Sequence, residues 1–287
     1  MKKISITLLA LAVTGYLYAQ TNSNKPVGGG KIVLSKGQKI VIQNTVSIES
    51  SMSPGIEASS NTASENILEV KDATEKGYTI CNSLSKLKLS TDMMGQSNSY
   101  DSENPADQNS DMGKSIAKQL NNPVDVSLDN ITGNASLVKK PSPEKEPDDA
   151  NPMQGLLQML GSNGSDESVV SGAFQLIPAG KNIGDSWSDS TIEKDMKTRR
   201  NYTLRSVSDS GAVIVLTSIT ESVNNIEMQG MQLEMTSSTQ TNTEMLTDIA
   251  TGQLKRKMTR ATISGSFQVM GQSVPINAKA STVSIYK

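Results

Sequence analysis

The residue types that most often carry catalysis are scarce in this chain, and histidine is absent altogether. Without histidine, neither a Ser-His-Asp nor a Cys-His arrangement can form, and the usual histidine-containing zinc sites are excluded. The one cysteine, Cys81, excludes an internal disulfide and a thiolate cluster. Because it stands in an apolar, strand-like run, it is expected to be a buried and inert thiol. The sequence therefore predicts no catalytic residue, no metal site and no cofactor, and enzyme activity is the less favoured interpretation.

Two Ser-x-x-Lys patterns, at Ser115–Lys118 and Ser83–Lys86, resemble part of a hydrolase site. In some hydrolases such a lysine activates the serine. The accompanying Ser-Asp-Asn and Lys-Thr-Gly elements are missing, and serine is common throughout this chain. A solvated helix face is therefore the preferred interpretation.

Oxygen-bearing side chains alternate at Asp107, Asn109 and Asp111, as they do in calcium-binding loops. The glycine of the pattern, Gly113, comes one position late, and Lys118 stands where a closing glutamate is needed. These departures favour a solvated turn that caps the next helix.

The amino terminus has the features of a secretory signal peptide. Basic residues at the start are followed by an apolar run over residues 4–13 and by the small residue Ala19, after which cleavage is expected. The run is shorter than the about 20 apolar residues that a membrane span needs. Cleavage removes two lysines and changes the net charge from −2 to −4, and no basic patch stands out. A periplasmic or released protein is predicted, without a transmembrane span and without nucleic acid as a partner.

Period-two apolar patterns predict antiparallel strands through most of the chain. Ile40, Ile42, Val46 and Ile48 alternate with polar residues, and residues 212–219 are apolar on both faces, which indicates a central strand. A slip in the alternation predicts a bulge near Ser85. Residues 50–63, which are rich in serine and contain Pro-Gly, are interpreted as a loop.

Three short amphipathic helices are predicted. The first follows Ser110 and repeats apolar residues at Ile116 and Leu120, the second covers about 151–161, and the third runs from about Asp166 through Ile177. The predicted organisation is a signal peptide (1–19), a flexible leader (20–30), a first β unit with one inserted helix (31–138), a charged, proline-rich linker (139–152), short helices (153–178) and a second β unit (179–287).

The two β units show a similar order of landmarks. The pairs are Gly37 with Gly184, Asn66 with Asn201, Gly77 with Gly211, Gly95 with Gly230, and Asp129–Gly133 with Asp248–Gly252. Either the chain contains a duplication, or two β-meanders share glycine spacing by coincidence. If the duplication is real, residues 50–63 and 97–123 are insertions in the first copy.

The expected fold is mainly β with a few short helices, in the α+β class. The strands form a curved antiparallel sheet or half-barrel with two possible repeats, and the helices cover its concave face, because a half-apolar helix and a half-apolar sheet each need a partner. The 14 methionines suit either an adaptable ligand pocket or ordinary core filling.

Several short segments make this sequence resemble a family of secreted bacterial proteins classed only as a domain of unknown function. They are Lys36-Gly37 before a long strand, the segment from Leu128 to Gly133, and Ile183-Gly184-Asp185-Ser186-Trp187, and the resemblance covers residues 31–287. It implies no activity and no site residues, and Trp187 is interpreted as a core anchor at a strand edge. The expected shape also resembles the half-barrels of periplasmic lipid and lipoprotein carriers, although shape does not fix function.

Two functions are consistent with these expectations. The first is a non-enzymatic envelope protein that binds a lipid, another apolar ligand or an envelope protein between sheet and helices. The alternative is a structural or adhesive surface protein without a ligand cavity. A carboxylate-dependent hydrolase would need two acidic residues facing each other in a pocket.

Overall fold

The protein is a single antiparallel sheet of long hairpins. The computed structural model describes residues 26–52, 55–93, 95–117, 119–138, 165–193, 195–228, 231–269 and 272–287. The strands are β1 (Lys39–Met52), β2 (Ile56–Ala73), β3 (Gly77–Met93), β4 (Gln96–Asp101), β5 (Val124–Asp129), β6 (Ala135–Leu137), β7 (Ser186–Glu193), β8 (Met196–Ser208), β9 (Gly211–Met228), β10 (Met231–Thr247), β11 (Leu254–Val269) and β12 (Gln272–Tyr286). The helices are α1 (Pro105–Gln108), α2 (Asp111–Ala117) and α3 (Asp166–Ser171).

The strand order is β6-β5-β3-β2-β1-β12-β11-β10-β9-β8-β7, with β4 paired to β3. Every strand pair is antiparallel, and the sheet is open. The first and last strands pair in the middle, where Ile42 lies opposite Tyr286. The predicted mainly β, antiparallel class is confirmed, and β9 is a central strand as expected.

The two faces of the sheet differ. Residues opposite each other in neighbouring strands share a face, and Ile42, Leu68, Ile80, Ile214 and Met245 are all buried on one of them. We call this the inner face and its opposite the outer face.

The main core occupies the inner face at the end of the sheet where β1 begins and β12 ends. Two connecting segments pack on it, the one before β1 through Ile32 and Leu34, and the one around α3 through Val170 and Phe174. The third helix was predicted to run through Ile177, but α3 ends at Ser171. After Gly172 the backbone pairs with the start of β11 instead, and the Leu254 N–H donates to the Ala173 carbonyl at 2.9 Å.

A second cluster lies on β3 and β4. Leu87, Leu89 and Tyr100 pack with Ile116 of α2, and all four are buried. The N-terminal cap predicted for this helix is confirmed, since the Gly113 N–H donates to Ser110 Oγ at 3.0 Å. The contacts of α2 and α3 with the sheet are therefore local, and full covering of a concave face stays a prediction.

The segment before β1 is fixed at several points. The Tyr78 hydroxyl donates to the Ile32 carbonyl at 3.0 Å and accepts from the Leu34 N–H at 3.1 Å. Val27 exchanges backbone hydrogen bonds with Lys181. Two residues of the predicted flexible leader, Val27 and Gly29, are thus hydrogen-bonded to the rest of the fold, since the Gly29 N–H donates to the Ile177 carbonyl at 2.9 Å. The signal peptide, the linker and the second predicted helix lie outside the described residues.

The prediction of a loop over residues 50–63 was wrong. β1 extends to Met52 and β2 begins at Ile56, and their pairing is continuous from Lys39 with Glu69 to Met52 with Ile56. The bulge predicted near Ser85 is present, because Lys86 pairs with Glu65 while Leu84 pairs with Asn66. Ser85 is the extra residue, and its hydroxyl donates to the Glu65 carbonyl.

Two turns in the two halves have the same hydrogen bonds. In one, Asp129 Oδ1 accepts from the N–H groups of the residues two and three positions ahead, and in the other Asp248 Oδ1 does the same. Each turn continues through a glycine at φ 72°, Gly133 or Gly252. Both glycines lie close to Ile32, whose side chain is 3.7 Å from the position that a Cβ would take.

The turns that precede β1 and β7 match in the same way. Gly37 N–H donates to Val70 and Gly184 N–H donates to Leu204, each at 2.8 Å. A register shift follows Val70 and Leu204 in each half. This register makes Asn66 equivalent to Arg200, one position away from the Asn201 that the sequence order suggests.

Candidate functional site

Of the two Ser-x-x-Lys patterns, only the one at Ser83–Lys86 lies wholly within the described residues. Lys86 Nζ lies 2.8 Å from the Glu103 carboxylate, so an acidic partner engages it. Lys118, the second candidate lysine, lies outside the described residues. Within the described part of the chain, no group of three His, Cys, Asp or Glu residues could hold a metal ion.

The calcium-like pattern is a capped turn. Asp107 Oδ2 accepts from the Asp101 N–H at 2.8 Å, and its Oδ1 accepts from Asn104 Nδ2 at 3.1 Å. Asn109 Nδ2 donates to the Pro105 carbonyl at 2.8 Å. These side chains complete the turn around α1, as the preferred interpretation of the pattern predicts.

Cys81 is buried on the outer side of β3. Burial, together with the nearby Asp125 carboxylate, raises the pKa of its thiol. A protonated, enclosed thiol is a poor nucleophile, which agrees with the expectation of an inert residue.

The Gly-Asp-Ser-Trp segment forms the entry to β7. Gly184 takes the left-handed conformation at φ 95°, and Asp185 Oδ2 accepts from the Asn182 N–H at 2.8 Å. The Trp187 ring then stacks on Tyr202, with centroids 5.4 Å apart and planes 4° apart. Trp187 is thus a partly buried anchor of the main core on an edge strand, as predicted.

Tyr202 belongs to a small polar network at this edge. Its hydroxyl donates to Asp189 at 3.1 Å, and Asp189 pairs with Arg200 at 3.0 Å. Burial and the Asp189 carboxylate raise the pKa of Tyr202 to about 12. The network is internally satisfied, which indicates a structural role.

The inner face continues beyond the main core along β11, β12 and β1. Opposite pairs in this region are Ala261 with Ala280, Ile263 with Ala278, Gly265 with Ile276, and Phe267 with Val274, and Ile48 lies beside Ala280. We call the eight apolar side chains the apolar strip: Ile48, Ala261, Ile263, Phe267, Val274, Ile276, Ala278 and Ala280.

The apolar strip is buried at three of its eight residues and half-buried at the other five, but it is not part of either core. Phe267, Ile276 and Ala278 are 8%, 7% and 9% exposed, yet they belong to neither hydrophobic cluster. Outer-face residues between them, such as Asn277 and Lys279, are exposed. The inner side of these strands is therefore the more enclosed one.

Hydroxyl side chains lie beside the apolar strip. On the β10 side, Thr243 bonds Thr259 at 3.0 Å, and further out Thr198 bonds Thr220 at 3.1 Å. On the β2 side, Ser60 is 2% exposed, and its Oγ has no hydrogen-bond partner among the described residues. An unsatisfied buried hydroxyl is costly, so this border is polar without being fully paired.

Lys257 lies at the core end of the apolar strip. It faces Met245 on β10 and Ser284 on β12, which places it on the inner face. It is partly buried, and no described residue forms an ion pair or hydrogen bond with it. Burial lowers the pKa of its ammonium group.

The period-two pattern of β11 places Lys257 on the apolar face of the strand. The alternation of Ile263, Gly265 and Phe267 was recognised, and extending it backwards by steps of two reaches Ala261 and then Lys257. A lysine on the apolar side of a strand is unusual. The pairing that brings β1 beside β12, in contrast, had no signal in the spacing.

An open groove lies on the outer face across β7 to β10. Its volume is about 680 Å³, and it contains Lys197 and Arg199 together with many hydroxyl and amide side chains. Ile192 and Ile219, also in the groove, are 74% and 47% exposed. The groove is open and is lined by both polar and apolar side chains, and it lies on the opposite face of the sheet from the main core.

Among the helices that the structure describes, none combines the length and the apolar character needed to cross a membrane.

Comparisons with solved structures give distant likenesses only. A lipovitellin structure, titled for its lipid–protein interactions, has a TM-score of 0.47 and 9% identity over 89% of this chain, which spans only 25% of the lipovitellin chain. The COG4313 outer membrane channel from Pseudomonas putida F1 has a TM-score of 0.28 and 8% identity, with 90% of this chain and 98% of the channel covered. Pseudomonas aeruginosa OccK5 (OpdH) has a TM-score of 0.27 and 6% identity, with 89% and 99% covered. With TM-scores below 0.5, these likenesses carry no functional argument.

No curated protein matches the sequence. A family profile does match, over residues 75–254, which is more than half of the chain. The span includes both Asp-x-x-Thr-Gly turns and the Gly-Asp-Ser-Trp segment. The chain therefore belongs to DUF6263, a family of unknown function.

Proposed function

We propose that this chain is an exported, non-enzymatic envelope protein that binds an apolar ligand on the inner face of its sheet. The observation that carries the proposal is the apolar strip. Its side chains are apolar, three of them are buried and five are half-buried, and they lie beyond the main core and beyond the second cluster. Enclosed apolar surface with polar borders is typical of ligand sites.

The geometry of the sheet supports this location. α3 packs against β3, β5 and β6, whereas seven of the eight residues of the apolar strip lie on β11 and β12. Inner-face side chains of β11 and β12 are more buried than their outer-face neighbours, as expected if the sheet curves toward the inner face. The predicted concave surface and export of the chain are parts of the same proposal.

The matched turns support a duplication in which β1, β2 and β3 correspond to β7, β8 and β9. In that scheme β4 and β5 together correspond to β10, and residues 102–123 are the insertion. β12 then has no counterpart in the first half, so the apolar strip lies largely on strands that the second half adds.

Binding of a neutral apolar fluorophore, N-phenylnaphthylamine, tests the proposal, together with mass spectrometry of lipids extracted from the purified protein. Ile263→Gln places an amide in the apolar strip, and Thr262→Gln is the matched control on the outer face of the same strand. We expect fluorescence enhancement in the wild type and in the control, and a loss of at least tenfold in affinity for Ile263→Gln. No binding by the wild type, with no co-purifying lipid, would refute the proposal.

A structural or adhesive surface protein is the second candidate. The outer groove favours it, because Ile192 is 74% exposed next to the cationic Lys197 and Arg199. A partner captured from envelope extracts, released by Ile192→Ser and unaccompanied by lipid, would favour this function over the first.

A further inference from the structure

We propose that Lys257 pairs with the anionic head of a fatty-acyl amphiphile whose chain lies along the apolar strip. The inference deepens the proposed function and rests on it. It specifies the chemical class of the ligand and the residue that selects it.

The position of Lys257 is the first reason. It lies on β11 between the main core, which it borders through Met245, and the apolar strip, which begins four residues further at Ala261. Its neighbour on the other side is Ser284, which is 4% exposed. The ammonium group is thus directed to the enclosed side of the sheet at one end of an apolar surface.

The second reason is charge. An ammonium group removed from water is costly unless an anion and hydrogen bonds compensate it. None of the described carboxylates pairs with Lys257, whereas Lys36, Lys71, Lys86, Lys88 and Lys255 each have an acidic partner within 4 Å. A ligand that brings its own negative charge supplies the missing partner, and a cationic ligand is repelled.

The third reason is shape. From Ala261 to Phe267 the apolar strip extends about 20 Å at a rise of about 3.4 Å per residue, and it is about 10 Å wide from β11 to β1. One inner-face row, Thr259 opposite Thr282, separates it from Lys257. A narrow apolar surface with a cation at one end fits an acyl chain with an acidic head. A folded protein partner needs a broader contact, so we assign the surface to a free amphiphile.

The test uses the purified mature protein after lipid extraction, with bound N-phenylnaphthylamine as the reporter. Dodecanoate and dodecanol, which share a chain and differ in the charge of the head, are compared as competitors. We expect dodecanoate to displace the fluorophore at a concentration about tenfold to a hundredfold lower, the range expected for one hydrogen bond to a charged group. Lys257→Met should abolish that preference while fluorophore binding persists, and Lys257→Arg should retain it.

Lys279→Met, on the outer face of β12, is the matched control and should behave as the wild type. If the fluorophore binds but Lys257→Met keeps the preference for dodecanoate, or the wild type has none, the role of Lys257 is refuted while the apolar site stands. If the wild type does not bind the fluorophore at all, the proposed function itself fails. Displacement by an acidic, apolar peptide but not by dodecanoate would also overturn the assignment.

Discussion

Replacing Gly77 by alanine should destabilise the fold more than replacing Gly37 by alanine. An added Cβ at Gly77 would lie 2.1 Å from the Leu128 carbonyl oxygen, although the residue's φ is not in the left-handed region. An ordinary contact begins at 3.4 Å, so β3 and β5 would have to separate by about 1.3 Å. Leu128 is 0% exposed in the main core. Overpacking costs about 1–3 kcal/mol and each lost ladder hydrogen bond about 1 kcal/mol, which together give about 2–5 kcal/mol.

At Gly37 a Cβ would meet nothing within 4 Å, and the cost is only that of the left-handed backbone at φ 82°, about 1–2 kcal/mol. Urea unfolding followed by far-ultraviolet circular dichroism measures both variants. Gly211→Ala should cost at least as much as Gly77→Ala, since its Cβ would lie 2.2 Å from the Thr247 oxygen and its φ is 132°. Equal stability of the Gly77 and Gly37 variants would show that the close approach of β3 and β5 is not rigid.

Three further outcomes are expected. Lys257→Met should stabilise the ligand-free protein by about 1 kcal/mol or more at pH 7. Because the pKa of Lys257 is lowered in the folded state, the stability of the wild type rises with pH, and the difference between the two proteins in urea unfolding should shrink toward about pH 10. Tyr78→Phe should cost about 1–3 kcal/mol and expose the segment before β1 to limited proteolysis, since the Leu34 N–H loses its partner. The N–H groups of Thr132 and Ile131 lower the pKa of Asp129 in the folded state. The contribution of this carboxylate to folding stability is therefore full above about pH 4 and is lost as the pH falls through the lower folded pKa. Asp129→Asn should reduce the fall in melting temperature under acid, and an unchanged dependence of melting temperature on pH would contradict this.

Regular alternation was sufficient to predict the strands in which large side chains mark the inner face. Ile40 and Ile42 are buried where the pattern places them, and Ser85 is the bulge that the broken alternation requires. The turn at Asp129 was also recognisable, because an aspartate followed by threonine and glycine satisfies its own backbone. In these places the local chemistry and the tertiary structure agree.

The loop predicted for residues 50–63 failed because the inner-face residues there are small. Ala58, Ser60 and Thr62 alternate inward on β2, but alanine, serine and threonine give no period-two apolar signal. The long hairpin is held by backbone pairing with β1 and β3, which composition does not report. The Pro-Gly pair and the many serines of this segment favour a loop when the sequence is considered alone.

The third helix was overextended for a different reason. Val170, Ala173, Phe174 and Ile177 are all buried, as the helical spacing predicts. The last of them are nevertheless extended, because hydrogen bonds to Gly252 and Leu254 replace those of a helix. Spacing identified which side chains are buried, but a tertiary contact decided the backbone conformation.

The pairing of β1 with β12 has a consequence for how the molecule assembles. Side chains that meet there, such as Gln43 and Lys287, are 244 positions apart, whereas most other strands pair with an adjacent hairpin partner. Closing such a distant contact carries a large entropic cost and slows folding. The strands β1 to β6 and the strands β7 to β12 can each form hairpins early, but Ile48 and Ala280 come together only when β1 pairs with β12. A newly emerging polypeptide would therefore complete the apolar strip last, because Ile48 joins the β11–β12 hairpin only after the final strand becomes free to pair.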